Sequence, residues 1–382
     1  MVAVPTLPAG AAPRVCVVMM SAVGDAVHVL PVLTALKRHA PRAHVTWILQ
    51  GAPAALVRGH WAVDEMLLFE RRGGVTGYGR LARALRAHGP FDLCLALQVY
   101  LKAGLVTALV PARVKLGFDR ARARDANWLF TNARIPAHPK QHVQDQYFEF
   151  LDALGVPHEP PRWDLGPWAH ERAWQREFLA GHERPLAGVV VASSDPSRNW
   201  LPERIAVLCD ALYEREGLQP VLLGGRSAVE LAAEAEIRRL ARHAPVSTLG
   251  ASFREMVALI DGSALVVSPN TAGLHIAVAL DRPVITLSGT WDPRRTGPYR
   301  HFHDLIVDTF LEPTDAPDRV LLEKRADGRM ARITVDDVLE RVAVWRERYA
   351  DAALAHVAAV RTGGVPSAPS HVERPDPALR DA

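Results

Sequence analysis

The sequence predicts an α/β protein made of two parallel, doubly wound domains. Three observations carry this. Short apolar runs alternate with helical patterns along both halves of the chain, which is the signature of βαβ units. Several runs are apolar throughout, such as Val15–Met20 (VCVVMM), as expected of parallel strands covered on both faces. And 382 residues exceed what one ordinary core organises.

In the first half, Val15–Met20 is the opening strand and Ser21–Asp25 the turn after it. The next segment carries Leu30, Leu33 and Leu36 at helical spacing. It closes with Lys37, Arg38 and His39, cations that suit a helix C-terminus. Pro31 belongs to the first turn or marks a kink. His44–Leu49, Phe91–Leu97 and Val114–Phe118 are further strands. Gln141–Leu154 is a helix closed by Gly155 and Pro157. Residues 157–170, rich in Pro and Trp, read as a linker.

In the second half, strands are expected at Ala187–Ser193, Pro220–Gly224, Val246–Leu249, Ala264–Ser268 and Val284–Leu287. Helices are expected at Pro202–Glu216, Ser227–His243 and Ser252–Asp261. Ser227 with Glu230, and Ser252 with Glu255, form capping boxes. Arg332–Val360 is a terminal helical region, and the polar, Pro-rich stretch from Arg361 reads as disordered.

Composition narrows the function classes. Hydrophobic residues make up 49% and charged residues 23%, which suits a globular protein. The net charge of +3 is too small to indicate a nucleic-acid partner. Arg113, Lys115, Arg120, Arg122 and Arg124 nevertheless cluster, either as a solvated loop or as a patch for an anionic acceptor or lipid headgroup. Cys16, Cys94 and Cys209 match no metal or redox spacing and read as buried thiols in a reducing compartment. The first 13 residues do not resemble a signal peptide, and no apolar run reaches membrane-spanning length. A cytoplasmic location is expected, with attachment to a membrane surface open.

Four constellations carry possible chemistry. The first is Gly24-Asp25, in which Asp25 is either a helix N-cap or a general base; His28, three residues on, is structural or lies beside it. The second is SSDPSRNW, residues 193–200, which offers Ser193, Ser194 and Arg198, the last a surface arginine or a phosphate clamp. The third is LLGGRS, residues 222–227, where Gly224 and Gly225 allow close backbone approach before a capped helix. The fourth is PNTAGLH, residues 269–275: Asn270 and Thr271 cap a helix, Ala272 and Gly273 keep its turn open, and His275 follows one turn later. A turn of small residues opening a helix presents free N–H groups and the positive end of the helix dipole to an anion. No D-x-D triad, H-E-x-x-H or C-x-x-C is present, so no metal site is suggested. The missing G-x-G-x-x-G after Val15–Met20 argues against a nicotinamide oxidoreductase.

Taken together, these motifs resemble glycosyltransferase family 9, the ADP-heptose:lipopolysaccharide heptosyltransferases, over roughly residues 14–345. SAVGDAVHVLPVLTALKRHAPRAHVTWIL is similar to that family's opening strand, Gly-Asp turn and helix. RVKLGF resembles its basic-Ile-Gly-Phe segment, and SSDPSRNWLPERIAVL its Lys-x-Trp-Pro segment. PNTAGLHIAVALDRPVITLSGTWDPRRTGPY is similar to its Asp-Thr-Gly-x-x-His and Gly-x-Thr-Asp-Pro segments. The resemblance implies a GT-B fold: two Rossmann-like domains facing a central cleft, with a C-terminal helix crossing back to the first domain. It also implies inverting, metal-independent transfer of heptose from ADP-heptose, with no resident cofactor. The acceptor is an anionic, lipid-linked saccharide of the lipopolysaccharide core, met during transient contact with the inner face of the cytoplasmic membrane.

By that resemblance Asp25 is the catalytic base. The donor set is Ser193, Ser194, Arg198, Gly224, Gly225, Asn270, Thr271, Ala272, Gly273 and His275. The acceptor set is His28, Arg113, Lys115, Arg120, Arg122 and Arg124. The expected domains are 14–165 for the acceptor and 166–345 for the nucleotide sugar. They are flanked by a disordered N-terminus (1–13) and by a terminal helix and disordered tail (346–382). Two positions depart from the family: Asn270 stands where it has aspartate, and Arg198 where it has lysine. Alternatives are a GT-B transferase of another nucleotide sugar or a non-catalytic sugar-nucleotide binder.

Overall fold

The computed structural model describes residues 1–367, apart from Ser194, Pro317, Asp318, Leu322 and the side chain of Arg71. Ser194 and the tail from residue 368 therefore lie outside the described residues. The chain forms two compact units, Met1–Leu165 and a second that begins at Gly166.

The first unit contains β1 (Arg14–Val18), α1 (Val23–His39), β2 (His44–Leu49), α2 (Gly51–Val57), β3 (Glu65–Leu68), α3 (Gly74–His88), β4 (Phe91–Ala96), α4 (Leu101–Leu109), β5 (Ala112–Gly117), β6 (Ala133–Arg134) and α5 (Val143–Leu154). Its six strands are all parallel, in the order β3-β2-β1-β4-β5-β6. Val15 to Val18 are fully buried, as both faces of the strand are covered. Helices α2, α3 and α4 and strand β3 were not legible as elements. Pro31 lies inside α1, which continues through it.

The second unit contains α6 (Ala169–Ala180), β7 (Leu186–Val190), α7 (Pro202–Arg215), β8 (Gln219–Leu223), α8 (Ala228–Leu240), β9 (Val246–Ser247), α9 (Phe253–Asp261), β10 (Ser263–Pro269), α10 (Ala272–Ala279), β11 (Val284–Ser288), α11 (Pro293–Thr296), β12 (Ile306–Asp308), α12 (Val335–Arg348) and α13 (Ala350–Thr362). Its parallel order is β12-β11-β10-β7-β8-β9. Counted within the unit from the other edge this is 3-2-1-4-5-6, the same order as the first sheet and that of a Rossmann-like domain. Both predicted capping boxes form: the Ser227 and Ser252 hydroxyls accept from the Glu230 and Glu255 amides.

Three expectations are corrected. The N-terminal segment is laid along the first unit rather than disordered, since its amides at Val2, Leu7 and Gly10 donate to Asn132, Leu154 and His39 carbonyls. The expected linker gives way at Ala169 to α6, and Trp168 at its start is buried, with the Arg254 guanidinium 4.3 Å from its ring. The terminal helix α13 packs on β10 and α6 of the second unit. Asp261 at the end of α9 fastens it there, accepting from Gln175 at 2.8 Å and pairing with Arg172 and with His356 of α13.

Candidate functional site

In a doubly wound sheet, neighbouring strands whose crossovers run to opposite faces leave a crevice at their carboxyl ends. The strand orders put that switch point between β1 and β4 in the first unit and between β7 and β10 in the second.

At the first switch point, the loop after β1 is held from both sides. The indole of Trp47 donates to the Met19 carbonyl at 3.0 Å. From the end of β4, Gln98 accepts from the Met20 amide at 3.3 Å and donates to the Ser21 carbonyl at 2.6 Å. Asp25 then enters the first turn of α1, half-exposed, and accepts from the Ala22 amide at 2.8 Å. Ala22, not Asp25, is the N-cap residue; Asp25 is the third residue of the helix and closes back on the Ala22 amide, at the end of the helix dipole that favours negative charge. Gln98 is a positioning residue that the sequence did not reveal, because its role depends on the β1–β4 pairing.

His28 is placed elsewhere. It is 4% exposed on the face of α1 that meets α5, with Nδ1 3.1 Å from Gln144 Oε1 and its carbonyl accepting from Gln144 Nε2 at 2.9 Å. Burial, helped by the neighbouring His142 and opposed by the Gln144 bond, lowers its pKa to about 3. It is a neutral structural histidine, not part of an acceptor surface.

The basic cluster divides. Arg122 is buried and its guanidinium is shared between Asp119 and Glu149; it also donates to the Pro136 carbonyl. Burial works against its charge, but those two carboxylates hold it charged. It is structural, and the acceptor role expected of it does not fit. Lys115, half-buried on β5, donates to the Ala108 carbonyl at 3.0 Å, and burial lowers its pKa. Arg113 is exposed on the same face of β5, two residues away. Arg120 and Arg124 are exposed on the loop after β5 and stack on Trp128 and Tyr100, at 4.1 Å and 5.9 Å.

At the second switch point, three loops converge. After β7, Asp195 caps the single 3-10 turn Pro196–Arg198, and the Ser193 hydroxyl donates to the Asp195 carbonyl at 2.8 Å. Arg198 leaves this turn and donates through Nη1 to the Asn270 carbonyl at 2.9 Å, beyond the end of β10. After β11, Thr290 donates to the Ser197 carbonyl at 2.6 Å, Trp291 lies 5.6 Å from the Arg198 guanidinium, and Thr296 accepts from Asn270 Nδ2 at 2.6 Å. Arg198 and Asn270, candidates 72 residues apart, are thus brought together. Burial alone would raise the pKa of Asp195, but Lys324 at 2.9 Å and the Ser197 bonds bring it to about 2. It stays anionic beside Arg198, 3.5 Å away.

Thr271 opens α10, its hydroxyl 3.1 Å from that of Ser268, and Ala272 follows half-buried. Gly273 is required for a different reason than openness: a Cβ there would lie 2.7 Å from Val190 Cγ2, so glycine lets the helix start pack on the end of β7. His275 is 8% exposed on α10. The Gly224-Gly225 turn is already engaged: the Gly225 amide donates to Glu230 at 2.6 Å, and the Ser227 amide and hydroxyl donate to the same carboxylate. Burial opposes the charge of Glu230, yet these bonds hold its pKa below the ordinary value. An internal anion therefore sits where the glycine turn was expected to offer its amides. Thr290, Trp291 and Thr296 lie in the 269–299 segment singled out above, without a role of their own there, whereas Lys324 is not signalled in the sequence. Among the described residues, no group of three or more His, Cys, Asp or Glu is placed to hold a metal ion.

Two doubly wound parallel sheets of the same strand order are the architecture of the GT-B fold. The glycosyltransferase family 9 (heptosyltransferase) profile matches residues 78–313, and the chain belongs to that family. It is similar to the lipopolysaccharide core heptosyltransferase OpsX of Haemophilus influenzae, 27% identical over 298 residues, 78% of this chain and 84% of that protein. Its fold is that of Escherichia coli ADP-heptose lps heptosyltransferase II, at a TM-score of 0.70 and 21% identity over 87% of this chain and 98% of that one. E. coli heptosyltransferase WaaC, solved with ADP, matches at 0.63 and 23% identity over 88% and 99%. No helix among the described residues is long and apolar enough to cross a membrane.

Proposed function

We propose that this glycosyltransferase moves heptose from ADP-heptose to an acceptor of the lipopolysaccharide core, with inversion and without a metal ion. The first domain (14–165) takes the acceptor and the second (166–345) the nucleotide sugar. The observation that carries the reading is the convergence of Arg198 and Asn270 with the amino end of α10 at the β7–β10 switch point. A diphosphate there meets a guanidinium fork and the positive end of a helix dipole. The names of the relatives agree: one is a core heptosyltransferase, and another was solved with ADP.

The chemistry is one displacement. The acceptor oxygen forms its bond to the anomeric carbon as the bond from that carbon to the diphosphate oxygen breaks. ADP departs carrying the electron pair, stabilised by Arg198 and the amides at Thr271, Ala272 and Gly273. Asp25 receives the acceptor's hydroxyl proton as general base. The transition state is oxocarbenium-like by analogy with glycoside hydrolysis. Asn270 is held through Nδ2 by Thr296 and offers the sugar a neutral contact. Arg113, Lys115, Arg120 and Arg124 supply positive charge for an anionic acceptor. The enzyme works in the cytoplasm, in transient contact with the inner face of the cytoplasmic membrane. It needs no resident cofactor and no nucleic acid.

The test is ADP release from ADP-heptose with and without heptose-deficient lipopolysaccharide. Release that depends on the acceptor is expected. Asp25→Asn should lower kcat by about 10²–10⁴-fold with ADP affinity unchanged. No release by protein that binds ADP would refute heptose transfer, and equal losses of turnover and ADP affinity would make Asp25 a cap only. The neutral Asn270 favours, as a second reading, another nucleotide sugar, which a donor panel separates.

A further inference from the structure

Helix α4 (Leu101–Leu109) carries a single charged residue, Lys102. Its inner side buries Ala103, Gly104, Val106 and Thr107. Its outer side is also apolar: Leu101 is 43% exposed, Leu105 41%, and Ala108 lies on the same face. A surface helix ordinarily turns a polar face outward. Beside α4 packs the 3-10 turn Asn127–Phe130, close enough that a Cβ on Gly104 would collide with Phe130. That turn projects Leu129, 63% exposed, and Tyr100 at the start of α4 is 47% exposed. Two adjoining segments thus present four large apolar side chains on one surface.

The border of this surface is cationic and aromatic. Arg120 and Arg134 stack on Trp128, Arg124 stacks on Tyr100, and Lys102 projects from α4. Asp125 is the one exposed acid in the adjoining loop 119–126. Arg122 is neutralised internally, whereas Lys102, Arg120 and Arg124 have no ion-pair partner among the described residues. Leucines ringed by Arg, Lys, Trp and Tyr match the layers of a membrane interface: acyl chains inside, phosphates at the rim. Cations without ion-pair partners beside a single exposed acid complement an anionic surface.

We propose that the outer face of α4 and the 127–130 turn is a monotopic docking surface for an anionic phospholipid bilayer. The leucines and Tyr100 enter the headgroup–acyl boundary, and Lys102, Arg120 and Arg124 contact lipid phosphates. This rests on the lipid-linked acceptor reading and names the surface that would bring the enzyme to it; it does not depend on the donor sugar.

Flotation of the full-length protein with vesicles tests it. Vesicles of phosphatidylethanolamine with phosphatidylglycerol should carry the protein, less so as salt is raised, and phosphatidylcholine vesicles should carry it poorly. Leu101→Asp with Leu105→Asp, or Leu129→Asp alone, should lower partitioning by about tenfold or more, since a charge replaces apolar area at the boundary. Val75→Asp, at a position 88% exposed on α3, should float like the parent. Melting curves establish that each variant is folded. Failure of the parent to float, or variants floating like the parent, would overturn the proposal. So would variants that change the oligomeric state in sedimentation while keeping vesicle binding, because the face would then join copies of the chain. ADP titrations on the same samples read the donor assignment separately, so a parent that floats without binding ADP sinks only that assignment.

Discussion

Replacing Arg198 with alanine should weaken ADP binding by about tenfold to thirtyfold. The guanidinium is fixed by its bond to the Asn270 carbonyl at 2.9 Å, by Asp195 at 3.5 Å and by Trp291 beneath it at 5.6 Å. Its fork is thus preorganised and loses little freedom on meeting a phosphate. A hydrogen bond between charged groups contributes about 1.5–3 kcal/mol. The side chain is 30% exposed, so solvent screening holds the expectation near the lower end, about 1.5–2 kcal/mol, or roughly tenfold to thirtyfold in Kd. Arg198→Lys should lie between parent and alanine, because it keeps the charge but cannot hold the Asn270 carbonyl and a phosphate with one planar fork. Calorimetric titration with ADP and with adenosine reads the effect. The loss should appear with ADP and be small with adenosine. An unchanged ADP affinity in Arg198→Ala, or an equal loss for adenosine, would refute the assignment and leave Arg198 as a tie between the β7 and β10 loops.

Two further predictions concern residues that the structure reassigns. Because burial lowers the pKa of His28 from 6.5 to about 3, the unfolded chain takes up a proton below pH 6.5 that the native state refuses. Its contribution to stability is therefore complete above that pH and is lost as pH falls toward 3, at about 1.4 kcal/mol per unit. Unfolding free energies from urea titrations at pH 7 and pH 5.5 should differ by about 1 kcal/mol more in the parent than in His28→Asn; identical pH dependence in both would exclude His28 as the source. Arg122→Ala leaves Asp119 and Glu149 facing each other without their cation, and should cost about 3–5 kcal/mol. A variant with parental thermal stability and impaired acceptor use would return Arg122 to the acceptor surface.

Much of the fold was legible because parallel strands buried on both faces are nearly pure apolar runs. Val15–Val18 and Ala264–Val267 announce themselves, as do helices opened by Ser227 and Ser252. The elements that were missed have mixed signals. Helix α4 is apolar on both faces and so lacks the period that marks a surface helix, and α3 opens on Gly74 and contains Gly77 and Gly79. At the site, Asp25, Arg198 and Asn270 could be singled out because each follows an apolar run. Gln98 could not, since nothing local distinguishes it, and Thr290 and Thr296 stand in a recognisable segment that does not say what they bond to; these contacts exist only once β4 lies beside β1 and the β11 loop reaches the β7 and β10 loops.

The sequence by itself determined the fold class, the two α/β halves and the family, because hydrophobic period, caps and motif order are local properties of the chain. Only the tertiary structure decided which charges are in use. It gave Arg122 to Asp119 and Glu149, closed the Gly225 and Ser227 amides around Glu230, buried His28 as a neutral ring, and brought Arg198 to Asn270. Burial and charge pairing are set by which distant segments meet, and that depends on the order of strands in each sheet rather than on any single stretch of residues.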